Sequence, residues 1–446
     1  MLDDLVFRSA GRCAMESSLY PVVRTVLGNE LRVVVSANDA AIPAVALTVD
    51  YGAGVRAERE GQAGFAHLFE HVMLQGTPSV NKNALARAVE GAGGRFNAFT
   101  RLDFTSYYIL MPANGLERGI YLLADQMAGP LLSEVNLRNQ IAVIKSEIQA
   151  NVHNRPYGYR SWLELPKLLF DTFPNSHDGY GSYADLDSAE LADAMEFFEA
   201  FYSPANAVLS VAGAVSPTHV IELAERYFGD IKARPAPSLI DYAEPVRNLP
   251  VWRTLHDADA RVSTVAIGWS LSDPAHLPAY LPFLVLADVL ADGPTSRLRH
   301  RLITRDRVAM HVSCHVGRYG DPLFARDPTM FVCEMRLRPG VTAADAVARL
   351  DGTLKQLACY GPDRGELDRT VLRLTAQLSR DVSNPLYRSQ AMAALELLYG
   401  RAELVSELPR LLAEVTEPAI RGAAGTLCER QRAILVMEPG QERGET

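Results

Sequence analysis

Cysteine is scarce in this chain. Five occur in 446 residues: Cys13, Cys314, Cys333, Cys359 and Cys428. The number is odd, the spacing is scattered and no C-x-x-C occurs. That argues against a disulfide framework or a cysteine zinc module, and fits reduced, mostly buried thiols in a reducing compartment. Long apolar runs are missing as well. None approaches the roughly 20 residues that a membrane helix needs. Met1 to Ser18 has no apolar core flanked by a basic end, so no secretory leader is read there. The expectation is a cytoplasmic protein without a membrane partner. Positive charge is also short, with 44 Lys and Arg against 53 Asp and Glu and a formal net charge of −9. Such a surface offers no footing for nucleic acid. Apolar residues, by contrast, are plentiful at 48%. With this length they suffice for large cores in two or three domains.

Against that background one stretch stands out, Gly64-Phe65-Ala66-His67-Leu68-Phe69-Glu70-His71. Phe65, Leu68, Phe69 and Val72 form an apolar stripe at helical spacing. On a helix, positions i, i+3 and i+4 share one side. His67 and His71 can therefore grip one metal ion, with Glu70 beside them. Two neutral imidazoles and a carboxylate that handles the proton of a water are what a metalloprotease requires. The order H-x-x-E-H is that of the inverzincins. A second amphipathic helix is read from Leu137, Ile141, Ile144, Ile148 and Val152, which recur at steps of three and four. Glu147 lies on it, off the apolar stripe. Spacing alone leaves Glu147 open, since most helix glutamates are solvated.

The pattern H-x-x-E-H followed 76 residues later by Glu147 resembles the pitrilysin family, which includes insulin-degrading enzyme and mitochondrial processing peptidase. Other stretches match in family order. Leu27-Gly28-Asn29-Glu30-Leu31-Arg32-Val33 resembles the opening "LxNGLxV", with Glu30 where glycine is usual. Gly93-Gly94-x-x-Asn97-Ala98-x-Thr100 and Asp103-x-Thr105-x-Tyr107 resemble "GGxxNAxT…DxTxY". Phe201-Tyr202-x-Pro204-x-Asn206 and Val211-Ala212-Gly213 resemble the end of the first domain.

The resemblance implies a zinc endopeptidase acting on short or unfolded peptides, with one Zn²⁺ per chain. His67, His71 and Glu147 would be its ligands and Glu70 its catalytic base. Gln140 stands where the family often has a second glutamate, two helical turns before Glu147. It could orient a ligand or a water but adds no charge, and a solvated glutamine is an equal alternative. Asn97 and Ala98 resemble the edge strand that pairs with the substrate backbone. Ser296-Arg297-Leu298 resembles "SSRL", after which active single-chain members carry an arginine and a tyrosine that hold substrate. Those positions here are Ile303 and Met310, which donate no hydrogen bond to a peptide carbonyl. Arg301, Arg305, His311 and Tyr319 lie nearby, and after a register shift one could compensate, a reading ranked below simple absence of the pair. Arg301 and Arg305 read as solvated helix charges. The expectation is a heterodimer whose homologous partner subunit supplies the missing Arg/Tyr donors, or otherwise a homodimer. The alternative function is a structural or assembly subunit with a vestigial zinc site.

For the fold, strands and helices mix without regular βαβ alternation, which indicates an α+β protein. Residues 22–35 and 44–51 read as paired strands, and 97–110 as one strand. Lys232–Pro250 holds Pro235, Pro237, Pro245 and Pro250 and reads as a linker. A similar order of elements follows it. The expected organisation is two homologous α+β domains from an internal duplication. The catalytic one is 1–232, the linker 233–250, and the metal-free one 251–446, with a frayed tail at 441–446.

Overall fold

The computed structural model describes residues 20–38, 43–238, 241–245, 251–271 and 273–440. Cys13, the region read for a leader, residues 239, 240 and 246–250 of the linker and the 441–446 tail lie outside the described residues. Two α+β domains are present.

The first contains a six-stranded sheet of β1 (Val23–Val26), β2 (Arg32–Ala37), β3 (Ala44–Tyr51), β4 (Arg95–Thr100), β5 (Thr105–Pro112) and β6 (Ala207–Gly213), in the order β1-β2-β6-β3-β5-β4. The second contains β7 (Val251–Asp257), β8 (Thr264–Leu271), β9 (Ala309–Val316), β10 (Thr329–Leu337) and β11 (Arg432–Pro439), in the order β7-β11-β8-β10-β9. Only β2/β6 and β7/β11 run parallel.

Two expectations about strands need correction. Residues 22–35 fold back on themselves as β1 and β2, through a turn in which Glu30 takes φ 69°. β2 does not pair with β3, because the fully buried β6 lies between them. Residues 97–110 likewise form two strands. A turn closes where Arg101 N–H bonds the Phe104 carbonyl at 2.8 Å. Within that turn Asp103 is buried in an ion pair with Arg56 at 3.1 Å, so the chain cannot run straight.

The helices of the first half are α1 (Phe65–Met73), α2 (Lys82–Glu90), α3 (Leu116–Ala128), α4 (Glu134–Ile148), α5 (Arg160–Leu169), the short α6 (Phe173–Ser176) and α7 (Tyr183–Ser188), α8 (Leu191–Phe201) and α9 (Pro217–Phe228). Those of the second half are α10 (Leu277–Ala291), α11 (Ala343–Tyr360), α12 (Arg364–Ser383), α13 (Pro385–Tyr399), α14 (Leu404–Ala413) and α15 (Glu417–Glu429).

Alternation along the strands explains the layers. Val33 and Val35 of β2 and Val45, Leu47 and Val49 of β3 share one core with Phe65, Leu68 and Phe69 of α1, which itself lies against β4 and β5. Each such fully buried side chain contributes roughly 1.5–3 kcal/mol. Val34, Val208 and Ala212 point to the other face and join the core of the second half. The halves also exchange a helix. α13 lies on the first sheet, where Ser389 Oγ bonds the Ser210 carbonyl at 3.0 Å. α5 lies on the second, with Leu165, Leu168 and Leu169 against Ala266, Met330 and Leu435. No described helix is long and apolar enough to cross a membrane.

Candidate metal centre

α1 has only nine residues. Phe65, Ala66, Leu68, Phe69, Val72 and Met73 are buried, which turns His67, Glu70 and His71 toward an open cleft. α4 crosses it from the other side and delivers Glu147 from its last turn. The three candidate ligands meet. His67 Nε2 and His71 Nε2 stand 3.3 Å apart. Glu147 Oε2 lies 3.6 Å from His67 Nε2, and Glu147 Oε1 lies 3.7 Å from His71 Nε2. Two ligand atoms on a tetrahedral zinc, each at about 2.05 Å, are separated by roughly 3.3–3.4 Å. The donor set and its spacing therefore fit zinc. Burial and the adjacent His71 ring hold His67 down at about 3. It is thus neutral at working pH, as a ligand imidazole must be.

Glu70 is held apart from that trio. Thr100 Oγ1 donates to its Oε2 at 2.7 Å. Burial pushes the Glu70 carboxyl up to about 7, against the Thr100 bond, with the charge of Glu147 adding to the rise. A carboxyl poised there can take or give a proton near neutrality.

The cleft above these groups has a volume of about 440 Å³. Asn97, Thr100 and Arg101 wall it from the first sheet, Trp162 and Tyr180 from the segment after α4, and Tyr319 from the second half. Tyr180 packs edge-on against His67 at 5.2 Å, and Tyr319 packs edge-on against Trp162 at 6.0 Å. Arg101 Nε is paired with Asp321 at 2.7 Å.

Asn97 is exposed on β4, whose outer side pairs with no described strand, while Ala98 turns into the core. Gln140 is 6% exposed, buried on α4, and is not among the residues that line the cleft. Ile303 is packed against the second core, and Met310 is exposed on β9. Neither reaches the cleft. Arg305 pairs with Asp306 at 2.8 Å and Arg301 lies 3.7 Å from it. His311 lines a separate hollow of about 350 Å³ over the second sheet. The sequence reading missed the roles of Thr100, Arg101, Trp162 and Tyr180 in the cleft. Thr100 stood inside a motif already noted. Trp162 and Tyr180 carried no signal, because what brings them here is the path of the chain after α4.

Residues 33–160 match the family described as insulinase, peptidase family M16. Residues 188–374 match the peptidase M16 inactive domain. Zinc protease PqqE of Helicobacter pylori is 25% identical over 337 residues, which are 74% of this chain and 73% of that protein. Mitochondrial-processing peptidase subunit beta of Bos taurus is 29% identical over 214 residues, 46% of this chain and 41% of its own. The crystal structure of a protease from Helicobacter pylori has the same fold, with a TM-score of 0.86 at 21% identity over 94% of this chain and 100% of that one.

Proposed function

The chain belongs to peptidase family M16, the insulinase family, and we propose that it is a zinc endopeptidase of short or unfolded peptides, the metal-bearing subunit of a clamshell dimer. One observation carries this reading. His67, His71 and Glu147 bring their ligand atoms within 4.8 Å of one another, with Glu70 alongside. Zinc bound there would supply Lewis acidity and make a water acidic near neutral pH.

The chain's own groups do the rest. Glu70 accepts the water's proton and returns it to the leaving amine. Thr100 occupies Oε2 of Glu70, which leaves Oε1 for that proton. The open side of β4 at Asn97 and Ala98 presents main-chain N–H and C=O groups. A peptide can add to it as a further strand, in a manner tolerant of sequence. Trp162, Tyr180 and Tyr319 line the facing side of the cleft and offer ring faces to a bound peptide. Ile303 and Met310 offer no donor to the peptide; Tyr319 lines the cleft from the same half, and a facing subunit supplies the remaining Arg/Tyr donors. The name of the bovine relative, a beta subunit, agrees with such pairing.

The test is metal analysis of the purified chain together with cleavage of an unstructured peptide, with and without a chelator. A chain that retains no zinc, or whose cleavage ignores the chelator, would overturn the proposal. A chain that keeps zinc yet cleaves nothing with any homologous partner would be a structural subunit.

A further inference from the structure

The start of α1 is held by a carboxylate from outside the helix. Its N-cap is Gly64, at φ 99°, with no side chain to satisfy the free N–H groups of the first turn. A Cβ there would lie 2.7 Å from Gly181 Cα, so the 178–181 loop forbids a serine or aspartate cap at this position. Glu58 does the capping instead. Its side chain is 0% exposed. Its Oε2 accepts from Gly64 N–H at 2.8 Å and its Oε1 from Ala66 N–H, the residue before His67, also at 2.8 Å. A carboxylate at this end also suits the helix dipole.

Glu58 is in turn tied to the other half of the molecule. His177 Nε2 lies 2.8 Å from Glu58 Oε2, and its Nδ1 lies 2.6 Å from the Phe173 carbonyl. The His177 carbonyl accepts from Arg318 Nη2 at 3.0 Å, and Arg318 Nε donates to the Trp162 carbonyl at 3.1 Å. Arg318 follows β9 of the metal-free domain and is 4% exposed. Two residues before Glu58, buried Arg56 donates to the Arg326 carbonyl at 3.1 Å and to the Pro328 carbonyl. The β9–β10 connection of the second domain therefore grips the segment that caps the metal-bearing helix from two sides.

We propose that Glu58 is the positioning residue of the metal helix and that the second domain, through Arg318 and His177, tunes the zinc affinity of the first. The inference rests on the zinc reading above. Ligand atoms must be held within about 0.5 Å, and removal of an outer partner of a metal site typically costs 10–100-fold in affinity. None of the three residues touches the ligand side chains, so their effect runs through the placement of α1.

The experiment is a competition for zinc between a chromogenic chelator and the full chain, with thermal midpoints of the metal-free chain measured alongside. The variants are Glu58→Gln, Arg318→Ala, Arg318→Lys and the double variant Glu58→Gln/Arg318→Ala. The two single losses of affinity should be roughly tenfold each, in chains that remain folded. The double variant should lose less than their product, since both act through one strut. Arg318→Lys should recover part of the loss. A purely structural role would lower the midpoints and leave zinc affinity untouched, which would overturn the inference. So would single losses that multiply in the double variant. Should Glu58→Gln not fold, Arg318→Ala decides by the same criterion. Wild-type chain that takes up no zinc would instead overturn the proposed function. Wild-type uptake matched by folded variants would overturn this inference alone.

Discussion

The two halves of the molecule follow one strand plan and put different chemistry on it. In the first, β2-β6-β3-β5-β4 are neighbours, and in the second β7-β11-β8-β10-β9. With the extra edge strand β1 set aside and the remaining five numbered within each half, both orders are the same, and in both only the first-listed pair is parallel. The helix after the third strand of that order is α1 in one half and α10 in the other, and their partners across the layer are α4 and α12. Between α1 and α4 stand two imidazoles and a carboxylate. Between α10 and α12 stands Arg373, whose Nη2 donates to Asp288 at 2.8 Å and whose Nε lies 3.1 Å from Asp292. One helix pair brings together side chains that could hold a metal, the other an arginine paired with two aspartates. A shared scaffold thus says little about function, which a few side chains decide.

The comparison breaks most completely if the first half is stripped of its ligands. His67→Ala, His71→Ala or Glu147→Ala should each abolish stoichiometric zinc and peptide cleavage, because the ligands come from two helices and none is redundant. Atomic absorption on the purified variants checks this. Zinc retained at full stoichiometry by Glu147→Ala would remove that residue from the set. Glu70→Gln sharpens the point. Zinc should stay, while turnover falls by at least ~10²-fold. Activity within a few fold of wild type would assign the proton to another group.

Assembly comes next in size. With no donor at Ile303 or Met310, the chain alone should bind zinc and cleave slowly, since poor positioning lowers the rate steeply. A homologous partner should restore cleavage, and loss of that partner's arginine or tyrosine should remove it again. Full peptidase activity of the isolated chain would point to a homodimer. Tyr319, already in the cleft, would then be the first side chain to replace.

Much of this was readable from the chain. His67, Glu70 and His71 announce themselves because one short helix carries all three at a fixed spacing. Glu147 became a candidate only by resemblance, as helix spacing cannot say which distant helix it faces. The mixed α+β character and the restart after residue 250 followed from apolar periodicity. Strand order did not. The place of β6 between β2 and β3 is a pairing over more than 150 residues of sequence, and local pattern carries no trace of it. The same holds for the exchange of α5 and α13 and for the capping of α1 by Glu58. Each is a tertiary contact between residues with ordinary local sequences. Arg56 and Arg388 look like surface cations in the sequence, yet they are 2% and 0% exposed where the halves meet.

The smallest expected effect tests the helix pair bridged by Arg373. Burial pushes the Asp288 carboxyl up to about 6, against the pull of Arg373. In the unfolded chain an aspartate titrates near 3.9. The folded state thus holds this proton more tightly. Its contribution to stability is full below about pH 4 and is lost as pH rises through about 6. Asn at this position cannot ionise. Relative to wild type, Asp288→Asn should therefore gain stability between pH 4 and pH 7, by on the order of 1–2 kcal/mol after allowance for partial solvent access. Loss of the Arg373 partner shifts the variant's level, so the slope with pH is the quantity to compare, read from thermal midpoints. Zinc content should match that of wild type at each pH, because Asp288 is bonded to Arg373 and touches neither the ligands nor the Arg318–His177–Glu58 chain. A difference that stays flat with pH would mean that Arg373 outweighs burial and keeps Asp288 ionised throughout. A fall in zinc content would mean that the two helix pairs, alike in plan, are coupled in energy as well.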